Sequence, residues 1–323
     1  MKKKLGILTG AFAALYGYSH FIENRSLSSF LIENVFKVDK LLNKNSSSED
    51  IIYETLEKSV EESKHPLDLP KKYVRSDVSE FFFQEMQVFS WNDKQDVNQK
   101  IIFYIHGGSY VAAPLSFHYR MVDSIARQTG AKVIFPIYEK VPLANYKDVF
   151  PKMLALYKKV LEESLSADRI TIMGDSAGGG LALGLCLLLK EKEMVQPKNI
   201  ILLSPWLDIT NRHPKIAKIK KYDPMLDPAQ LDRFGQMWSD GDINNQLVSP
   251  IHGDPRGLGK LSIFVGIHEI FYPDIMKYHK MLKDLNIDHN MIIEPRMNHV
   301  YVMYPIPEAK KAQRKIAQII HDD

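Results

Sequence analysis

From Lys100 onward the chain alternates short apolar runs with helix-length segments. Ile101–Ile105, Lys132–Ile137, Ile170–Met173, Ile200–Leu203 and Ser262–Val265 are such runs, and Met291–Glu294 is a further candidate. Their apolar residues fall on consecutive rather than alternate positions, which predicts strands buried on both faces. That requires a mostly parallel sheet with helices packed on either side, an α/β fold. Ahead of them, Val78–Ser90 alternates around Phe81, Phe83, Met86 and Val88 and predicts strand, followed by a polar, hairpin-like turn at Asn92–Asn98. Residues 19–75 read as helix and loop, with helical spacing over Ile51–Ser63 and a polar linker at Asn43–Asp50. Between Trp206 and Leu247 the alternation gives way to a polar, helical stretch punctuated by Pro214, Pro224 and Pro228. This predicts an insertion at 206–247 lying over the carboxyl ends of the strands, within a core made of 76–205 and 248–323.

One strand candidate passes into a helix with no linker. Ile170–Met173 is followed at once by Gly174-Asp-Ser-Ala-Gly178, and Ala177–Lys192 then carries helix formers with an apolar face at Leu181, Leu185, Leu188 and Leu189. A serine on such a hinge occupies a tight, strained turn for which Gly174 and Gly178 leave room, and its hydroxyl is lifted above the sheet edge. A hydroxyl is a poor nucleophile at neutral pH, so Ser176 needs a general base, and the base an acid to orient it. The chain order expected for this arrangement is serine, acid, histidine. His299 lies in Arg296–Tyr301, just after a late strand and before the final helix, and is the predicted base; His279 and His289 fall in or beside a helix with apolar partners.

Glu269 lies four residues past the Ser262–Val265 run and is the favoured acid. Asp274 stays open as an alternative, although after Pro273 it also suits an N-cap; His268 reads as incidental. A tetrahedral intermediate needs donors aimed at its oxyanion. Ile101–Ile105 runs into His106-Gly-Gly-Ser109, so the N–H groups of Gly107, Gly108 and Ala177 are the predicted oxyanion hole, with His106 organising the loop.

Composition narrows the picture. The chain has 323 residues, 45% of them apolar and 25% charged, ordinary values for a globular protein. A net charge of +3 gives no footprint for nucleic acid, and the basic run Lys215–Lys221 reads as a solvated face. Cys186 stands alone in an apolar setting, so neither an internal disulfide nor a cysteine-rich metal site is expected. No metal or organic cofactor is called for. Met1-Lys-Lys-Lys4 followed by the mostly apolar Leu5–Tyr18 resembles a signal or short anchor, since a span needs roughly 20 residues. Membrane contact through residues 1–20, or export, is favoured over a cytoplasmic packed helix.

Taken together, His106-Gly-Gly-Ser109, Gly174-Asp-Ser-Ala-Gly-Gly179, Ser204-Pro-Trp-Leu-Asp208 and Asn298-His299 resemble the hormone-sensitive-lipase-like branch of the α/β-hydrolases, over roughly residues 75 to 315. The resemblance implies a helical cap, built from the N-terminal region 21–75 and the insertion 206–247, over the active site. It also implies hydrolysis of small carboxylic esters of short to medium acyl chain, with Ser176 as nucleophile, His299 as base and Gly107, Gly108 and Ala177 as oxyanion donors. Three positions depart from the family pattern. Ser109 replaces a third glycine, Glu269 stands where aspartate is common, and Glu139–Tyr146 replaces the usual segment after the second strand of the motif. Amide or peptide cleavage by the same residues is an alternative, as is a non-catalytic ligand-binding protein on this fold. Trp206, Met225, Leu226, Phe234, Met237 and Trp238 would either face an acyl chain or form the cap's own core.

Overall fold

The computed structural model describes residues 13–42 and 47–321. Most of the proposed N-terminal segment (1–12 of 1–20) and part of the proposed linker (43–46) lie outside the described residues. Among the described residues no helix is long and apolar enough to cross a membrane.

Eight strands form a single sheet: β1 (Val78–Phe83), β2 (Met86–Trp91), β3 (Ile101–Ile105), β4 (Lys132–Ile137), β5 (Ile170–Asp175), β6 (Asn199–Leu203), β7 (Lys260–His268) and β8 (His289–Asn298). Their order is β1-β2-β4-β3-β5-β6-β7-β8. β2 is antiparallel to both β1 and β4, and every pair from β4 to β8 is parallel.

Both faces of the parallel strands are covered, as the unbroken apolar runs require. Successive side chains point to opposite faces. Ile101, Phe103 and Ile105 therefore join one apolar cluster, with helices α4 (Tyr146–Ser164), α5 (Ser176–Glu191) and α7 (Tyr272–Asp284). Ile102 and Tyr104 join the other, with α3 (Ser116–Thr129) and α8 (Pro307–His321).

The expected turn at Asn92–Asn98 is not a hairpin. β2 and β3 are separated by β4, so this segment is a crossover. The hairpin is one step earlier, where Gln84 and Glu85, both at positive φ, join β1 to β2. Alternation marks a strand but does not choose its partner.

Ahead of the sheet, residues 13–22 are helical and end in a π-helical turn at Tyr18–Ile22, and two longer helices follow, α1 (Leu27–Leu42) and α2 (Ser48–Glu62). α2 begins inside the expected linker because Ser47 and Asp50 form a reciprocal capping box. The 206–247 stretch is helical in one turn, Ile216–Ile219, and in α6 (Pro228–Ser239), which Asp227 caps by accepting from Ala229 and Gln230. α6 packs against α2. Trp206, Phe234 and Trp238 are buried in the main core, while Met225, Leu226 and Met237 pack half-buried against apolar clusters. For the three large rings, core packing is the outcome.

Candidate active site

Five neighbouring strands end on the same edge of the sheet, and each delivers one part of the site. The loop His106–Gly108 follows β3, Ser176 follows β5, Ser204 follows β6, Glu269 follows β7 and His299 follows β8. In a parallel sheet, carboxyl ends collect on one side, so side chains far apart in sequence meet there.

Ser176 is the first residue of α5 and has φ +52°, a left-handed conformation costly for a residue with a Cβ. A Cβ on Gly174 would collide with the Gly178 carbonyl, and one on Gly178 with the carbonyls of Ile105 and His106. The elbow is therefore wedged against the end of β3, and glycine is needed at both flanks.

The His299 Nε2 lies 2.9 Å from the Ser176 Oγ, and its Nδ1 lies 2.5 Å from Glu269 Oε2. All three side chains are buried; the serine is 5% exposed. The carboxylate is anchored at its other oxygen, where Oε1 accepts from the Ser204 hydroxyl (2.8 Å) and the Gly266 N–H (3.1 Å). Ser204 in turn accepts from the Val300 N–H at 3.0 Å, which ties the loop bearing the histidine to the same hydroxyl. The Phe271 ring meets the imidazole edge-on at 5.2 Å. Burial pulls the His299 pKa down, but the charge and hydrogen bond of Glu269, with smaller help from Asp223 and Asp175, outweigh it and raise it above 6.5.

Glu269 sits directly after β7, not four residues beyond a strand. β7 and β8 both outrun their apolar cores, with an irregularity in register between Gly266 and His268. Asp274 plays no part in orienting the imidazole. It also caps nothing: α7 starts at Tyr272, so Asp274 falls inside its first turn, buried, with its pKa pushed up to about 7 by burial and by Asp208. His279 and His289 pair with each other at 2.7 Å, and His289 opens β8 at the opposite edge of the sheet.

A second polar cluster sits behind the elbow. Asp175, the residue before the serine, accepts from the Tyr104 hydroxyl (2.6 Å), the Gly107 N–H (2.8 Å) and His118 Nε2 (3.3 Å). Burial favours its neutral form, but His118 and these hydrogen bonds prevail and hold its pKa below the ordinary value. This corrects the expected donor set. The Gly107 N–H is committed to Asp175, leaving Gly108 and Ala177 from the original three. Gly108 has φ +124°, where a Cβ would crowd the Ala112 carbonyl, and Ala177 lies in the first turn of α5, whose N–H groups have no partner one turn back. His106 is unsuited to be a base. Its Nδ1 donates to the Gly107 carbonyl at 2.7 Å, and burial drives its pKa down to about 3.

Three contributors were not singled out from sequence. Ser204 was legible only as part of a motif, though its place just past a strand's carboxyl end was a usable signal. Asp223 is buried and accepts from Met225, Leu226 and Ile270 N–H groups, pinning the insertion to the acid's own loop. His268 is not incidental. It lies 3.4 Å from the buried Glu33 of α1 and stacks on Tyr222.

The sheet order, the elbow and the hydrogen-bonded serine, histidine and carboxylate define an α/β-hydrolase. A family model described as alpha/beta hydrolase fold matches residues 102–303, and the chain belongs to that family. An acetyl-hydrolase of Streptomyces hygroscopicus is 29% identical over 66% of this chain and 72% of its own. An esterase of Acinetobacter venetianus is 29% identical over 68% of this chain and 74% of its own. A crystal structure assigned as an esterase of Staphylococcus aureus aligns with a TM-score of 0.82 at 27% identity, covering 86% of this chain and 95% of that one. The hormone-sensitive-lipase homolog EstE7 from a metagenome library shares the fold, with a TM-score of 0.76 at 23% identity over 90% of this chain and 97% of that one.

Proposed function

We propose that this chain is a carboxylic ester hydrolase working through an acyl-enzyme on Ser176. The observation that carries the reading is the continuous hydrogen-bonded chain from the Ser176 hydroxyl through His299 to the buried Glu269. In the first half-reaction the Ser176 Oγ attacks the ester carbonyl carbon and His299 Nε2 takes its proton. Glu269 holds Nδ1 and stabilises the imidazolium that forms. The N–H groups of Gly108 and Ala177 serve as oxyanion donors. The imidazolium then protonates the departing alkoxide. In the second half-reaction a water gives its proton to His299 and attacks the acyl carbonyl, which releases the acid and restores the serine. Nothing in this sequence calls for a metal or organic cofactor.

Two considerations favour short to medium acyl chains as substrates. The serine is nearly closed off from solvent, and the Streptomyces relative is named for acetyl hydrolysis. A cap made of α1, α2 and the 206–247 insertion, with α6 against α2 and Asp223 against the acid loop, would control entry. The test is hydrolysis of a p-nitrophenyl ester series from acetate to palmitate, with fluorophosphonate labelling. The reading expects turnover that peaks at the shorter esters and a covalent adduct on Ser176; neither hydrolysis nor labelling would defeat it.

A further inference from the structure

The residues that follow β4 open the stretch Glu139–Tyr146, where the sequence departs from the family pattern. Within it Lys140 is only 5% exposed, and among the described residues no acceptor hydrogen-bonds or ion-pairs with its ammonium. A lysine held that far from water without a partner is costly, because burial disfavours its charged form. The carboxylates of Glu62 and Glu139 favour the charge from beyond ion-pair distance. Burial prevails over them and draws the Lys140 pKa below the ordinary lysine value.

Lys140 lines a cleft of about 240 Å³ between the end of α2, the β1–β2 turn and the residues after β4. Leu67, Phe82, Met86 and Ile137 give the cleft apolar walls. The other polar side chains around it are engaged or exposed. The Gln87 amide accepts from the Leu67 N–H and donates to the Leu67 carbonyl, both at 2.9 Å, and also donates to Glu80 at 2.6 Å. Glu139 pairs with Lys152 through Oε1, and its Oε2, though unpartnered, is closed off from solvent. Glu62 lies 3.6 Å from Lys58, and Lys64 pairs with Glu61. His65 and Glu85 are exposed. Lys140 is left as the buried cation of the cleft.

We propose that this cleft binds a short-chain carboxylate, its charged end on the Lys140 ammonium and its hydrocarbon end against Leu67, Met86 and Ile137. A single ammonium suits a monoanion, the apolar walls suit a tail, and the modest volume suits a small molecule. Binding here does not depend on catalysis. The proposal rests on the ester-hydrolase reading only for the ligand's origin, since hydrolysis releases acids of this class. The site stands behind the oxyanion loop. Tyr138 stacks on the His106 ring at 4.5 Å and donates to the His106 carbonyl at 2.8 Å, while the Val141 N–H donates to the Tyr110 carbonyl at 2.9 Å. An occupant beside Lys140 thus touches the segment that braces Gly107 and Gly108 from behind.

Calorimetric titration of the full chain with sodium butyrate, at an ionic strength fixed with sodium chloride, tests the proposal. The parent is expected to bind butyrate at least about tenfold more tightly than inorganic phosphate, which has no tail. Lys140→Met keeps an apolar stem without the charge. It should weaken butyrate binding at least about tenfold and melt no lower than the parent, since it relieves a buried charge. Protein blocked at Ser176 by a fluorophosphonate should still bind, which separates this cleft from the acid's place beside the serine. Butyrate should also slow acetylation of Lys140 by acetic anhydride in the parent, read by mass spectrometry, a measurement that needs no variant. The proposal is overturned if the parent binds no butyrate, if phosphate binds as tightly, or if Lys140 is not protected. Binding that survives in Lys140→Met and vanishes in the blocked protein overturns it too, and assigns the anion to the site of Ser176. A chain that takes up no fluorophosphonate would count against ester hydrolysis and leave the Lys140 comparison standing.

Discussion

The molecule holds two buried carboxylates near the elbow, each beside a histidine. Glu269 takes hydrogen bonds from Ser204 and Gly266 and touches His299; Asp175 takes them from Tyr104 and Gly107 and touches His118. By burial and charge alone the two pairs are hard to tell apart. The other ring nitrogen separates them. In His299 it reaches the Ser176 hydroxyl, whereas in His118 the Nδ1 accepts the Leu115 N–H at 2.8 Å and has nothing left to offer. One imidazole can pick up a proton and pass it on. The other is a rivet between a helix start and a strand end. A carboxylate–histidine pair becomes proton-transfer machinery only when the far nitrogen is left to a reacting group.

Substitution should separate the pairs further. The largest effect belongs to Ser176→Ala, which removes the reacting group that only the His299 pair reaches. Turnover should drop by on the order of 10⁴-fold or more with the melting temperature held, as read by ester hydrolysis and thermal unfolding. Next comes Glu269→Gln, expected to cost about 10³- to 10⁴-fold in kcat by losing the imidazolium's counter-charge.

The pH profile sharpens this. Only neutral His299 can accept the serine proton, so kcat/KM should fall as the medium is acidified through the histidine's pKa. Because Glu269 raises that pKa, the acid limb should lie above 6.5, and Glu269→Gln should shift it downward. A rate that stays level from about pH 8 to about pH 5, spanning the ordinary histidine range, would contradict the assignment.

Asp175→Asn should give the reverse pattern. It should lose about 1–3 kcal/mol of stability by leaving buried partners badly matched, with kcat reduced modestly and the acid limb lowered by less than in Glu269→Gln, because Asp175 is a smaller contributor to the His299 pKa. An acid limb that moved as far with Asp175→Asn as with Glu269→Gln would erase the distinction drawn between the pairs. Ser204→Ala should have the smallest effect, about tenfold in kcat at unchanged KM, through loss of one bond to the carboxylate.

Sequence patterning made the strands legible because β3, β5 and β6 are buried on both faces and are apolar over most of their length. It located Ser176 because that residue stands directly after such a strand, and His299 because it follows the last strand candidate and precedes the final helix. It could not show that the Gly107 N–H is occupied, since its partner Asp175 is 68 residues away and spacing does not say which amide a carboxylate will claim. Pairing was illegible for the same reason: β2 and β3 are consecutive in the chain but never touch. α1 lies within residues legible only as helix and loop, and its seat depends on Glu33 meeting Arg25 and His268, a meeting that exists only once β7 and β8 are in position.

The division of the site among five strand ends has a consequence for how the protein comes into being. No fragment that stops short of residue 299 carries the full set of reacting groups, so a nascent or clipped chain lacking β8 and its following loop is chemically silent. The first burst of ester cleavage during refolding thus reports the docking of the sheet's last edge strand. That makes turnover a clock for completion of the fold, where a spectroscopic signal would register only its beginnings.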